Sequence, residues 1–146
     1  MRRRKALLSI IIISAVLYGL LIASSANKQS KRLDIENKVV SFIEKNEKNG
    51  AAHINFQKDI GISYDKAYIF PPYTSDNELK KHLGNRSAEL KSYGLTYRDD
   101  ISLLVFVKSD QIVHVVKLPA KYKVTPDNSS HTPYLIQKSV KFKVNA

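Results

Sequence analysis

The most conspicuous pattern along the chain is an uncharged apolar run near its start. Ala6 to Ala26 carry no charge over 21 residues, and the basic stretch Arg2 to Lys5 precedes them. A helix of about 20 apolar residues crosses the ~30 Å hydrocarbon layer of a bilayer, whereas a soluble core helix would show a polar stripe at helical spacing. We therefore predict a single transmembrane helix over Ala6 to Ala26.

Two interpretations of this segment share one topology. In a retained signal anchor and in a cleaved signal peptide alike, the basic residues 1–5 stay in the cytoplasm and the rest of the chain is exported. Ser24 to Ala26 are small enough for cleavage after Ala26, which would release a secreted protein. The apolar core is longer than the ~7 to 15 residues of a cleaved segment. We favour the anchor, followed by a juxtamembrane linker over 27–32 and an extracytoplasmic domain over 33–146.

Shorter periodicities predict the first elements of this outer domain. The segments are, in chain order, a helix over Lys31 to Lys48, strands over His53 to Phe56 and Lys66 to Phe70, and a helix from Ser75 to Gly84. The second helix begins with a capping box of Ser75 and Glu78. Pro71 and Pro72 separate it from the preceding strand, because proline cannot donate to a strand ladder. Residues 85–97 show no clear pattern, and their state is left open.

The clearest element is a β-hairpin. Ile101 to Val107 and Ile112 to Leu118 are β-prone runs around a short polar turn. If Val107 pairs with Ile112, the other side chains of the hairpin divide between two faces. One face carries Leu103, Val105, His114 and Val116, and the other carries Leu104, Phe106, Val113 and Val115. Both faces are largely apolar. This pattern predicts strands that are either covered on both sides or covered on one side and open to a partner on the other.

The C-terminal part is more polar. Thr125 to Pro133 has the composition of a loop, and Val140 to Val144 alternates apolar residues with lysines, as a half-exposed antiparallel strand does. Together, these patterns predict an α+β fold. It would consist of a mainly antiparallel sheet of about four strands with two or three helices, preceded by the single N-terminal transmembrane helix.

Charge and composition narrow the classes of function. The formal charge is +11, yet residues 34–116 hold 11 basic and 12 acidic side chains, and residues 117–146 hold six lysines against one aspartate. The excess of positive charge lies at the two ends of the chain, and the sequence has neither a basic recognition helix nor an RNA-binding aromatic motif. We therefore predict no nucleic-acid partner. The absence of cysteine from the sequence excludes disulfides, thiolate zinc sites and a thiol nucleophile.

The sequence contains no recognisable catalytic or metal-binding motif. Its four histidines are 17 to 32 residues apart, too far for one helix or strand to present two metal ligands. We predict no metal, no cofactor and no enzymatic activity. A hydrolase that uses Asp65 or Asp99 with a histidine is the least favoured alternative.

Two sets of residues are candidates for binding. The first set lies on a proline-containing aromatic stretch and could form a binding ledge, since tyrosine suits half-exposed positions: Tyr64, Tyr68, Phe70 and Tyr73. In the simpler alternative, Tyr68 and Phe70 fill the core and the prolines only redirect the chain. The second set could contact an anionic surface, or could merely keep an edge strand from pairing with another chain: Lys138, Lys141 and Lys143.

The aromatic stretch also resembles a group of small bacterial envelope proteins. They share an Asp-Lys-x-Tyr-Ile-Phe-x-Pro-Tyr-Thr segment, a short helix ending in Leu-Gly, and a strongly apolar hairpin. The similarity covers about Lys58 to Leu118, and the group often has Trp where this chain has Tyr64. The resemblance implies a secreted or membrane-tethered α+β domain and no particular activity.

The function expected from these observations is partner binding. We expect a non-catalytic protein-interaction module of the bacterial cell envelope, membrane-anchored through Ala6 to Ala26, with another envelope protein as its partner. The alternative is an electrostatic binder of anionic lipid or wall polymer that acts through the lysine-rich segment Lys117 to Lys143.

Overall fold

A computed structural model describes residues 30–124, 133–136 and 139–144. The chain divides into two compact units, Met1–Asp34 and Ile35–Ala146. The described residues of the first unit, 30–34, are helical, and the account below concerns the second. None of the helices within the described ranges combines the length and the apolar character needed to cross a bilayer. The predicted membrane segment Ala6 to Ala26 and most of the predicted loop Thr125 to Pro133 lie outside these ranges.

The first predicted helix and strand are present with shifted ends. Helix α1 covers residues 30–46, and strand β1 covers Ala51–Ile54. The predicted strand over His53 to Phe56 is therefore wrong at its end. There, the Asn55 side chain accepts a hydrogen bond from the Lys58 amide and caps a π-helical turn over Phe56–Ile60. A side-chain cap of this kind offers the backbone an alternative to the strand ladder.

The next strand and helix are confirmed as predicted. Strand β2 covers Lys66–Phe70, and helix α2 covers Asp76–Leu83. The Ser75 hydroxyl accepts a 3.2 Å hydrogen bond from the Glu78 amide, which is the cap that the sequence indicates. The residues left open form two 3₁₀ segments, Gly84–Tyr93 and Leu95–Tyr97.

The hairpin is present, but one of its faces differs from the prediction. Strands β3, Ile101–Lys108, and β4, Gln111–Pro119, pair with Val107 opposite Ile112. The register shifts at the next pair, where Phe106 lies opposite His114. Val113 is therefore an extra residue in β4 without a partner in β3. A bulge of this kind moves the later side chains to the other face. The predicted positions of His114, Val115 and Val116 are therefore wrong.

Three further strands complete two antiparallel sheets. They are β5, Tyr122–Val124, β6, Tyr134–Ile136, and β7, Val140–Val144. One sheet has the order β4-β3-β2-β6, and the other has the order β1-β7-β5. In the part of the chain that the structure describes, the fold is thus α+β with antiparallel pairing, but it contains two sheets where the sequence predicts one.

The four-stranded sheet is covered on both sides. One face packs on the three-stranded sheet and on α1, with Phe106 and Phe142 among the buried residues of this first core. The other face packs on α2 and the 3₁₀ segments, with Leu83 and Leu103 in the second core. Every residue of β3 except Lys108 is buried, so the predicted arrangement of central strands covered on both sides is confirmed for β3. It is wrong for β4, which is the edge strand of its sheet and is partly exposed.

Candidate functional site

The four aromatic candidates do not come together in one site. Tyr64 is only 5% exposed and lies in the first core, with its ring centroid 5.1 Å from that of Phe106. Phe70 is fully buried in the second core, on the opposite face of the four-stranded sheet. Burial raises the pKa of the Tyr64 hydroxyl, and within the described residues this buried hydroxyl has no hydrogen-bond partner.

The other two candidates lie nearer to the surface. The half-buried ring of Tyr68 stacks on Phe70 at 5.9 Å, and the imidazole of His82 lies at the same centroid distance on α2. Tyr68 therefore belongs mainly to the rim of the second core. Tyr73 follows the two prolines and is 63% exposed.

A fifth aromatic residue, which the sequence analysis left unassigned, lies on the loop beside Tyr73. Tyr97 is 89% exposed at the end of the second 3₁₀ segment. The Tyr73 amide donates hydrogen bonds to the carbonyl oxygens of Leu95 and Arg98, at 3.1 and 3.2 Å. The two tyrosines thus lie on adjoining loops, and we refer to Pro72, Tyr73 and Tyr97 as the tyrosine ledge. The only hint of the exposure of Tyr97 in the sequence is that three charged residues follow it directly, Arg98 to Asp100.

The backbone of the ledge is strained and well held. Tyr73 has a φ of 61°, in the left-handed region that costs a non-glycine residue roughly 1–2 kcal/mol. The Thr96 hydroxyl donates to the Thr74 carbonyl at 3.3 Å, and the Thr74 hydroxyl donates to Pro71 at 2.6 Å. These bonds and the two bonds of the Tyr73 amide keep the backbone at Tyr73 in a conformation that an isolated loop would avoid.

A charged pair borders the ledge. The Arg98 guanidinium binds the Asp100 carboxylate through two hydrogen bonds. Hydrogen bonding to Arg98 lowers the pKa of the Asp100 carboxyl, so this carboxylate is charged at neutral pH. The ledge therefore combines exposed aromatic rings with a polar border, the composition that protein contact surfaces favour.

The lysine candidates occupy a different surface. Lys141 and Lys143 point outward from β7, while Val140 and Phe142 between them are buried. Lys138 lies outside the described residues. Strand β7 is the middle strand of its sheet, so protection of an edge does not account for these lysines.

The carboxylates proposed for a hydrolase lie at opposite ends of the four-stranded sheet. The Asp65 carboxylate accepts a hydrogen bond from the Ser109 amide at the hairpin turn. Asp99 lies two residues before the first residue of β3, so the two carboxylates are separated by about the length of this strand, roughly 25 Å. They are too far apart to form an acid and base pair with each other, whereas the predicted hydrolase pairs one of them with a histidine. In the described parts of the chain, no three His, Asp or Glu residues form a group that could hold a metal ion.

A depression of about 410 Å³ between α2 and the Gly84–Tyr93 segment is lined by eight residues, of which Asp76 is the one carboxylate and none is a histidine. Its lining also includes two lysines, Lys80 and Lys91.

No protein-family model matches the chain, and neither a curated protein nor a solved structure matches it.

Proposed function

We propose that this protein is a non-catalytic protein-interaction module of the bacterial cell envelope, which contacts another envelope protein through the tyrosine ledge. The observation that carries the proposal is the exposure of Tyr73 and Tyr97 on two loops that hydrogen bonds join. The proposal also takes Ala6 to Ala26 as the membrane anchor, which places the outer domain outside the cell.

Two physical arguments support a binding role for the ledge. Tyrosine is enriched among the residues that dominate binding energy, because its ring buries a large area at a low cost in side-chain entropy. The rings of Tyr73 and Tyr97 contribute little to the two cores, so stability does not account for them. The strained φ of Tyr73 adds to this argument, since strain without a gain in stability is concentrated at functional sites.

Site-specific photocrosslinking in cells tests the proposal. A photoreactive amino acid in place of Tyr97 is expected to crosslink a partner, and the same amino acid in place of the exposed Lys58 is expected not to. The crosslink should disappear with Tyr73→Ala but persist with Tyr68→Ala, provided that both variants unfold cooperatively. A position-97 crosslink that survives Tyr73→Ala, or none at all, would contradict the role of the ledge.

The location is tested separately by topology. A reporter fused after Ala146 is expected to be active only when it is exported, because the basic residues 1–5 hold the N-terminus in the cytoplasm. Activity confined to the cytosol would remove both the anchor and the envelope partner.

A further inference from the structure

The outer face of the three-stranded sheet gathers positive charge from two distant parts of the chain. The register places Lys143 of β7 between Ala51 of β1 and Lys123 of β5, and places Lys141 beside His53. Since alternate residues of a strand share one face, these side chains point to the same side. We refer to Lys123, Lys141, Lys143 and His53 as the lysine face. The described residues of these three strands include no carboxylate.

The neighbouring lysines behave differently, which makes the lysine face notable. Lys117 and Lys121 come from the same lysine-rich part of the sequence, but they form salt bridges to Glu36 and Glu44 of α1, at 3.6 and 3.5 Å. Within the described ranges, no such partner is found for Lys123, Lys141 or Lys143. The fold thus neutralises one group of lysines and leaves the other group available.

The pairing of Lys123 with Lys143 is unfavourable for the fold itself. Like charges directly opposite each other on neighbouring strands are destabilising. Protection of an edge accounts for a lysine on the edge strand β5, which carries Lys123, but not for Lys143 on the central strand β7. A contribution to folding therefore does not account for a lysine at position 143. An external anion would account for it, because the anion would relieve the repulsion when bound.

A groove adjoins the lysine face. Its volume is about 490 Å³, and it is lined by Asn46, Lys48, Asn49, Ala51, His53 and Lys141. The lining combines cationic and amide groups with no carboxylate, although the exposed Glu47 is a chain neighbour of Lys48. Cationic groups suit phosphates, and amide groups suit hydroxyls.

The wall of the groove is a fixed turn. The Lys48 amide donates to the Ala51 carbonyl at 2.8 Å, and the Val144 amide donates to the Gly50 carbonyl at 2.9 Å. Asn49 and Gly50 have φ values of 55° and 74°, as a tight hairpin turn with two left-handed residues requires. The groove is therefore preorganised rather than formed on binding.

We propose that the lysine face and this groove bind an extended anionic polymer in which phosphate groups alternate with hydroxyl-bearing units. The lysines lie ~5 Å apart across strands and ~7 Å apart along a strand, so successive phosphates of one chain can meet successive lysines. A bilayer surface is the weaker candidate. Membrane-binding faces also insert large apolar side chains, and none of the exposed large apolar residues in the described ranges lies on this face.

Binding of linear polyphosphate and of a glycerol phosphate polymer to the full chain, in a neutral detergent, tests the proposal. Vesicles of phosphatidylglycerol and phosphatidylcholine form the membrane arm. The lysine-face variant combines Lys123→Gln, Lys141→Gln and Lys143→Gln. The matched control has the same loss of charge at exposed lysines elsewhere, as Lys58→Gln, Lys81→Gln and Lys91→Gln.

The lysine-face variant is expected to weaken polymer binding at least tenfold, and the control is expected to change it about twofold or less. The slope of log affinity against log salt should fall by about 2, since each phosphate contact contributes roughly 0.7 for a single-stranded polyanion. Ala51→Leu leaves the charge unchanged and should weaken binding severalfold by filling the groove.

Three results would overturn the proposal. Equal losses of binding in the lysine-face variant and the control would show that the effect comes from net charge alone. Undiminished binding by Ala51→Leu with an unchanged unfolding midpoint would contradict the groove. Binding of the anionic vesicles without binding of either polymer would show that the ligand of the lysine face is a membrane surface and not a polymer. All of these outcomes are independent of the crosslink from position 97, so failure here leaves the tyrosine ledge standing.

Discussion

The hydroxyl group of Tyr122, on β5, donates a 2.6 Å hydrogen bond to the Glu44 carboxylate on α1. The Tyr122 ring is buried in the first core, so this bond joins the helix to the three-stranded sheet at the boundary between core and solvent. It lowers the pKa of the Glu44 carboxyl, and Lys121 adds to the effect.

Tyr122→Phe is expected to lower the midpoint of thermal unfolding by a few degrees at neutral pH. Because the pKa of Glu44 is lowered in the folded protein, the stabilisation is present above the ordinary value of 4.5 and is lost as the pH falls through the folded value. The difference between variant and parent should therefore shrink in acid. Glu44→Gln, which retains an acceptor, should have a smaller effect at neutral pH. An equal difference in acid and at neutral pH would contradict this account.

Tyr64→Phe is expected to stabilise the fold, whereas Tyr122→Phe destabilises it. The Tyr64 hydroxyl is buried without a partner in the described residues, and an unsatisfied buried polar group costs about 1–3 kcal/mol. Removing it should raise the free energy of unfolding by about 1 kcal/mol, measured by urea denaturation. A loss of stability like that of Tyr122→Phe would show that the Tyr64 hydroxyl has a partner.

Tyr73→Gly should separate stability from binding. Glycine adopts the φ of 61° found at Tyr73 without strain, so the free energy of unfolding should stay unchanged or rise by up to about 1 kcal/mol. The crosslink from position 97 should nevertheless be lost. Tyr97→Gly is the control at a position that relieves no such strain, and it should not increase stability. A clear destabilisation by Tyr73→Gly would indicate that its ring supports the fold.

His114 should make stability sensitive to mild acid. Burial lowers the pKa of the His114 imidazole below its ordinary value of 6.5, so the unfolded chain binds this proton more readily than the folded protein does. The stabilisation that the uncharged His114 imidazole provides is therefore fully present above pH 6.5, and it is lost as the pH falls through the pKa of this imidazole in the folded protein. Thermal unfolding between neutral pH and mild acid should show a shallower decline for His114→Gln than for the parent. If stability declined equally steeply with pH in His114→Gln and in the parent, the decline would come from titratable groups other than His114.

Lys123→Glu tests the repulsion on the lysine face without any ligand. Placing a carboxylate opposite Lys143 should raise the free energy of unfolding by about 0.5 kcal/mol at low salt, and the gain should vanish at high salt. Lys58→Glu changes the net charge equally at a position outside the sheets. A similar gain in this control would attribute the effect to the overall charge of the chain.

The predictions that held depend on neighbours in sequence. Strand β2, the cap of α2 by Ser75 and the pairing of Val107 with Ile112 follow from alternation, capping and turn length over a few residues. The strand over Val140 to Val144 was also predictable from its alternation. These features carry their own signal, because the atoms that stabilise them belong to adjacent turns or to strands joined by a short loop.

The candidate surfaces depended on contacts between residues far apart in the chain. The sequence by itself determined that Tyr64 and Tyr73 lie in one aromatic stretch, but the packing of the two sheets buried the first and left the second exposed beside Tyr97. A single extra residue at Val113 exchanged the faces of β4. The sequence also determined how many lysines the C-terminal part carries. Only the tertiary structure decided which of them meet a carboxylate of α1 and which share a face, because long-range register and burial decide the surroundings of a side chain.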